Sequence, residues 1–523
     1  MSRQERSYNP SRRDFLAATG TMAAGAALGM ASAPAAAKKH PTRGGVLRFA
    51  TRVDGRGLDT HRNIIYYVSN PLAATTHGLL DLNKKMEIVP GIAESWDISK
   101  DLKTYTFKLR KGVEYHNGRT VDAESVQWNF NRIRDPKTSH AFTRASLQDV
   151  EAIKVLDPHT VQIRLKAPNG IFLSNCVYYP VNLMAPDSVE QADTRPIGCG
   201  PFKFVSWKRY AKTELVRFEN FFETDAEGNQ LPYLDAVEGY PKREDKVRLT
   251  ALRTDEVDLI ENMAYSDVGG FKKNYSDTYN TWDISQVGTA YLAVQMKEGP
   301  FSMQAGKDGK MMRQALAHAI DKEAIHQVVF NGLSEKLNGF YSSSSPWYMK
   351  EIDNVKAYDP DKSKWILNKL NAMNQPIAVV ARASYQYMRN SGELVHAMLQ
   401  DAGFKPTNEV FDNPVLRKKY DKADYGIDST ANSYRFEPDG WYARNILSTG
   451  KLILEARAVL DAEKRKEMYR EVEGIVNDDC GFIYTHCVPL TSAAHKRVKG
   501  YEPAFAGPYN IAGAGIRTAY IES

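Results

Sequence analysis

Between residues 104 and 112 apolar and polar side chains alternate: Tyr105, Phe107 and Leu109 fall on one side of an extended chain, and Thr104, Thr106, Lys108 and Arg110 on the other. A period of two predicts a half-buried strand, because successive Cβ atoms point to opposite faces. The stretch HTVQIRLKAP repeats the pattern with Val161, Ile163 and Leu165, and GGVLRFATR reads as an earlier strand. Between them the period lengthens. In DAESVQWNFNRI, Val126, Phe130 and Ile133 share one helical face, and Asp122 stands at the N-cap position.

Further along the helical period dominates. Met312, Leu316, Ala319 and Ile320 form one stripe; Asp321 starts a second helix through Ile325, Val328 and Val329, which ends at Asn331-Gly332. Asp359-Pro360 opens another helix, SGELVHAMLQDAG predicts one from Ser391 to Gly403, and DAEKRKEMYREVEGIVN one through Met468, Val472 and Ile475. Strands and helices mix throughout, which predicts α/β domains. One segment has neither period: NSYRFEPDGWY, at 432–442, reads as a loop crowded with aromatic rings and opposite charges.

At 523 residues the chain exceeds a single core, so two or three domains are expected. The net charge of +6, evenly mixed and without basic–aromatic runs, gives no sign of a nucleic-acid partner. The N-terminus carries more. Arg12-Arg13 is followed by Phe15-Leu16, a mild Ala/Gly-rich apolar stretch, and small residues suited to cleavage after 33 or 37. This resembles a twin-arginine export signal, with an amphipathic or anchoring tail as the alternative. No cysteine precedes Cys176, which excludes a lipid-anchored start, and no later apolar run approaches the ~20 residues that span a bilayer. Cys176, Cys199, Cys480 and Cys487 allow three full pairings, among which the sequence does not choose.

Motifs of catalysis and cofactor binding are missing: no H-E-x-x-H, G-x-S-x-G, P-loop or strand-linked G-x-G-x-x-G occurs. No cofactor is expected, and an exported cofactor oxidoreductase is the rival outside the preferred fold. DAEGNQLPYLD (225–235) lacks the glycine and glutamate positions of a calcium loop and reads as a polar turn. His318, His326 and His486 are scattered and read as packed side chains rather than metal ligands.

Several stretches together resemble the periplasmic peptide/nickel-type (family 5) solute-binding proteins of ATP-driven ABC importers. EIVPGIAESWDISKDLKTYTFKLRKGVEYHNGRTVDAESVQWNFNRI (87–133) looks like that family's most recognisable segment; PIGCGPFKF, RQALAHAIDKEAI, YDPDKSKWIL and VKGYEP are similar in order and spacing. The resemblance implies a two-lobed α/β periplasmic-binding-protein fold (type II) with an extra inserted domain and a two-strand hinge. Lobe I is expected at 38–82, 195–288 and 488–523, the extra domain at 83–194, and lobe II at 289–487. It also implies a monomeric, non-enzymatic, periplasmic receptor that delivers a peptide-like or other carboxylate-bearing solute to an inner-membrane permease. A nickel-chelate or haem carrier is the alternative within the fold.

In dipeptide-binding relatives an arginine holds the ligand carboxylate and an aspartate its ammonium. The resemblance places the first at Arg382 and the second at Tyr434, beside Arg435, so the usual aspartate is missing and an acidic or modified solute is expected. Asp439 or Glu437 could supply the charge from a shifted position. On this reading NSYRFEPDGWY is cleft wall, with Tyr434, Phe436 or Trp441 as apolar platforms and Arg435 as a polar contact. Tyr66 and Tyr67 are candidates for the opposite wall. Core packing of Phe436 and Trp441 is the alternative.

Overall fold

Strand Thr104–Leu109 pairs antiparallel with Ala93–Ile98 on one side and Thr160–Leu165 on the other, and Val150–Asp157 completes a four-stranded sheet. Tyr105, Phe107, Leu109, Val161, Ile163 and Leu165 are all buried on one face, as the alternation predicts. Helix Ala123–Arg134 covers that sheet with Val126, Phe130 and Ile133. Its first turn is closed by a capping box: the Ser125 N–H donates to Asp122 at 2.8 Å and the Asp122 N–H to Ser125 Oγ at 3.1 Å. Burial of each large apolar side chain of this kind is worth roughly 2 kcal/mol. The structure is a computed structural model that describes residues 41–52, 54, 55, 57–63, 72–83, 85–445, 450–501, 503 and 515–522. The export-signal reading of 1–37 and the candidates Tyr66 and Tyr67 lie outside the described residues.

The second sheet has ten strands. Two long ones, Tyr279–Val294 and Phe482–His495, run antiparallel at its centre. On one side follow Ile427–Ser433, Pro376–Arg382 and Lys405–Phe411; on the other follow Leu259–Ile260, Val46–Thr51, Ala236–Pro241, Lys212–Arg217 and Phe202–Lys208. Each flank contains parallel pairs: Val46–Thr51 with both of its neighbours, and Pro376–Arg382 with both of its own. Parallel strands need both faces covered, and each flank has its own core. Leu47, Phe49, Val237 and Leu259 belong to the first lobe; Val379, Leu316, Val395 and Ile427 belong to the second. The four-stranded sheet and its helices form the inserted domain of this two-lobed α/β fold.

The two long strands carry the chain between the lobes, and their ladder is interrupted where they cross. Pairing runs from Tyr279–His495 to Ile284–Leu490, breaks, and resumes at Gly288–Val488. Three residues, Ser285 to Val287, face Pro489 alone. Gln286 is fully buried there, with its amide donating to Phe340 O at 2.9 Å and accepting from Ser342 N at 2.9 Å.

Helices Gly306–Ala319, Lys322–Phe330, Pro360–Lys369 and Ala462–Asp479 form where the apolar period places them, with Asp321, Asp359 and Asp461 as N-caps. Three details differ. Helix Gln386–Asp401 starts five residues before Ser391, because the apolar Met388 extends its buried stripe. Val328 and Ile475, each expected on an apolar stripe, are 65% and 38% exposed. NSYRFEPDGWY is mostly not a loop: Asn432 and Ser433 end a strand, and Asp439 begins helix Asp439–Asn445. The segment looked aperiodic because it joins two elements of different period. All four cysteines are free and buried.

Candidate functional site

Parallel α/β sheets offer their ligand sites outside the carboxyl ends of the strands. Here the strands ending at Thr51, Pro241 and Ile260 in the first lobe and at Arg382 in the second open onto one cavity of about 940 Å³. That is within the size of small-molecule sites, about 300–1,000 Å³. The first lobe contributes Arg52, Asp54, Arg243, Asn262 and Tyr265 among others; the second contributes Val328, Ser384, Tyr387 and Arg389. The exposure of Val328 is explained by this position on the cavity wall.

Two of the three carboxylates on the first-lobe wall are taken, and the third, Glu244, is exposed beside Arg243. Asp54 accepts from Trp207 Nε1 at 2.8 Å, from Gly55 N at 2.7 Å and from the Tyr210 N–H. Asp245 accepts from Arg248, which is fully buried behind the wall. Arg248 also donates to the carbonyls of Lys242 at 2.7 Å, Arg243 at 2.9 Å and Asn262 at 3.2 Å, so one guanidinium ties together the two loops that carry the lining residues. Glu261 lies beside Arg52. Its Oε2 accepts the Arg52 N–H at 3.3 Å, while Oε1 has no hydrogen-bond partner among the described residues. Burial pushes its carboxyl up, and the charges of Arg52 and Arg248 pull it back.

The cations are less committed. The Arg243 side chain is exposed and has no partner among the described residues, and Arg389 donates to a single carbonyl, that of Ala383. The Arg52 guanidinium carbon sits 6.0 Å from the ring centre of Tyr385, a contact between the lobes at the edge of the cavity. Guanidinium N–H groups facing a cavity are suited to carboxylate, which they bind through two parallel charge-assisted bonds.

None of the described residues that the sequence nominated lines this cavity. Arg382 ends its strand one residue before the lining Ala383, but its guanidinium donates to Thr430 Oγ1 and, at 3.2 Å, to Tyr420 OH. Tyr420 OH donates in turn to buried Asp428 at 2.6 Å. Tyr434 is buried and shares a hydrogen bond of 2.9 Å with Ser345. Arg435 donates to Asn432 Oδ1 at 2.6 Å. Trp441 is fully buried, donates to Tyr484 OH at 2.8 Å and stacks on Phe340 at 4.6 Å, and Phe436 packs on the same core. Asp439 holds Arg457 in a two-point pair at 2.5 and 3.0 Å. Arg52, Arg243 and Arg389 were missed; the first two follow strand ends closely, the one signal that could have marked them.

One group of side chains has metal-like composition: His77, Asp81 and Glu223 present ligand atoms within 4.8 Å of one another. A protein cation already occupies the centre. Arg517 Nη1 donates to Asp81 at 2.9 Å and to Glu223 at 2.7 Å, while His77 contacts Glu223 at 3.1 Å and Gly78 O at 3.0 Å. The cluster is a buried charge network that joins the C-terminal segment to the first lobe.

Residues 87–452 match the family of bacterial extracellular solute-binding proteins, family 5 (middle). The chain belongs to that family. This solute-binding protein is 24% identical over 462 residues to the dipeptide-binding protein of Escherichia coli K12, covering 79% of this chain and 84% of that one. It is 25% identical over 456 residues to the glutathione-binding protein GsiB of Pectobacterium atrosepticum, covering 81% and 85%. Among solved structures it superimposes on the periplasmic binding protein AgaA of A. tumefaciens R10, in complex with agropinic acid. The TM-score is 0.80 at 22% identity, over 92% of this chain and 99% of that one. The two-lobed fold is common to both, and no described helix of this receptor is long and apolar enough to cross a membrane.

Proposed function

We propose that this receptor captures a small carboxylate-bearing solute, peptide-like or an acidic conjugate, in the cavity between its lobes and hands it intact to an ATP-driven permease. The observation that carries this reading is the disposition of charge on the cavity wall. Asp54 and Asp245 are consumed by internal hydrogen bonds and Glu244 is the one exposed carboxylate of the lining, whereas three arginines line the wall, of which Arg243 and Arg389, one from each lobe, retain donors for a guest. A solute that bonds to both walls stabilises the closed arrangement over the open one, which is the whole of the work required of a receptor. Relatives that bind dipeptide, glutathione and agropinic acid support an acidic or amino-acid-derived guest.

The same reading takes residues 1–37 as a twin-arginine signal and the periplasm as the site of action. It divides the mature chain into lobe I (38–82, 195–288, 488–523), an inserted domain (83–194) and lobe II (289–487), acting as a monomer. Mass spectrometry of the small molecule released on denaturation of purified protein identifies the guest, and N-terminal sequencing of exported protein gives the cleavage point. Calorimetry with that compound should then show Arg389→Ala and Arg243→Ala each weakening binding by roughly 1–3 kcal/mol, the range of a charge-assisted bond. Arg382→Ala tests the remaining candidate. Wild-type affinity in both the Arg389 and Arg243 variants, or release of a neutral compound or metal chelate, would remove the carboxylate from the proposal.

A further inference from the structure

The segment 432–442 lies away from the cavity, and its helical end reaches the border between the second lobe and the inserted domain. Three independent features meet there. The first is an ion triad: Asp439 grips Arg457 from within the second lobe, and Arg457 Nη1 reaches Asp149 of the inserted domain at 3.8 Å. Asp149 is held for that contact by Asn169 Nδ2 at 3.0 Å. The second is a backbone bond across the same border, from Gly170 N to Arg457 O at 2.7 Å. The third is close approach. A Cβ on Gly170 would lie 3.0 Å from Val459 O and 3.3 Å from Leu460 Cα, so a side chain there would push the two surfaces apart.

Around these contacts the border is backed by buried apolar side chains. Phe172, Cys176 and Tyr105 of the inserted domain belong to the same buried cluster as Trp441, Ile453 and Ala456 of the second lobe. Glu437, 9% exposed, pairs with Arg465 at 2.9 Å beside this border. The inserted domain is covalently continuous with the first lobe, so motion about the interrupted central strands has to separate this seam.

We infer that the seam is a latch for lobe closure, with Arg457 as its positioning residue and Gly170 as its point of fit. It holds the inserted domain to the second lobe and so sets the balance between open and closed receptor without touching the guest. The inference rests on the proposed hinged capture and adds that closure has a second fastening, remote from the cavity. Removing Arg457 leaves Asp149 and Asp439 without their shared cation, and neutralising Asp149 removes the charge contact that crosses the border while Arg457 stays paired with Asp439; both favour the open form, where the parted groups are hydrated.

The test is a distance measurement on full-length mature protein stripped of solute by dialysis. Spin labels are placed by Glu124→Cys on the inserted domain and Lys464→Cys on the second lobe, both exposed. The four native cysteines are buried and do not compete for label. A single short distance is expected in the otherwise unaltered protein. Asp149→Asn and Arg457→Ala should each move at least half of that population to longer distances, and Arg457→Lys should restore part of it. Gly170→Val should lengthen the distance by wedging. If Gly170→Val lengthens it while both charge variants keep the short distance, the latch is refuted and hinging stands. If Gly170→Val also leaves it unchanged, the hinged reading falls with the latch. A melting curve for each variant separates opening from unfolding, and Asp149→Asn carries the test if Arg457→Ala does not fold.

Discussion

Glu473 shows what one buried carboxyl does to this receptor. It lies at the centre of the second lobe's aromatic core, accepts from Phe340 N at 2.9 Å and from Tyr442 OH, and is pushed up to about 7 by burial, against an ordinary 4.5. The folded chain therefore keeps a proton that the unfolded chain loses as pH rises past 4.5. Its contribution to stability is complete below that value, declines as pH rises, and levels off above about 7. Glu437 at the seam, also pushed up to about 7 by burial, acts in the same direction despite the opposing charge of Arg465. Denaturation midpoints measured from pH 4.5 to 8 should fall across this window, and Glu473→Gln should remove a large part of the slope. A wild-type slope in that variant would place the proton elsewhere. Nothing in the sequence distinguished Glu473 from the exposed glutamates of its helix, since burial of a carboxyl depends on which turn faces Tyr442.

Among elements, those with a clean period and a marked start were legible. Asp122, Asp321 and Asp359 each cap the helix that their spacing predicts, because capping is a local hydrogen bond. The turn PIGCGPFKF was legible as a motif, and the structure adds the cause. Cβ atoms on Gly198 and Gly200 would collide with the backbone oxygens of Thr75 and Ala74, so two segments far apart in sequence pass in direct contact. Gly200→Ala is expected to cost about 1–3 kcal/mol, because backbone cannot yield as a flexible side chain can; chemical denaturation measures it, and a loss under a few tenths would contradict the fit. The segment 432–442 was not legible. Its aromatic rings and charges announce burial, but a buried seam and a ligand wall ask for the same residues, and only the pairing of Asp439 with Arg457 and Asp149 separates them.

At the scale of the whole molecule, two α/β lobes with an inserted domain followed from the resemblance of 87–133 and the later matching stretches, and the family match supports that architecture. The cavity did not follow. Its walls are assembled from strand ends spread between Arg52 and Asn390, and no local pattern records that these ends meet. What connects capture to the rest of the protein is the central pair of strands, whose ladder is broken most widely between Ile284 and Gly288 and shifts by one residue again between Ala290 and Tyr291. That gap makes occupancy audible in the backbone itself. The amides of Ser285 to Val287 stand outside the regular ladder, so deuterium uptake at these positions should slow when a guest fills the crevice and change little in the sheet flanks. An unlabelled, unaltered receptor thus carries its own gauge of loading, and equal uptake with and without guest would show that the gap does not flex.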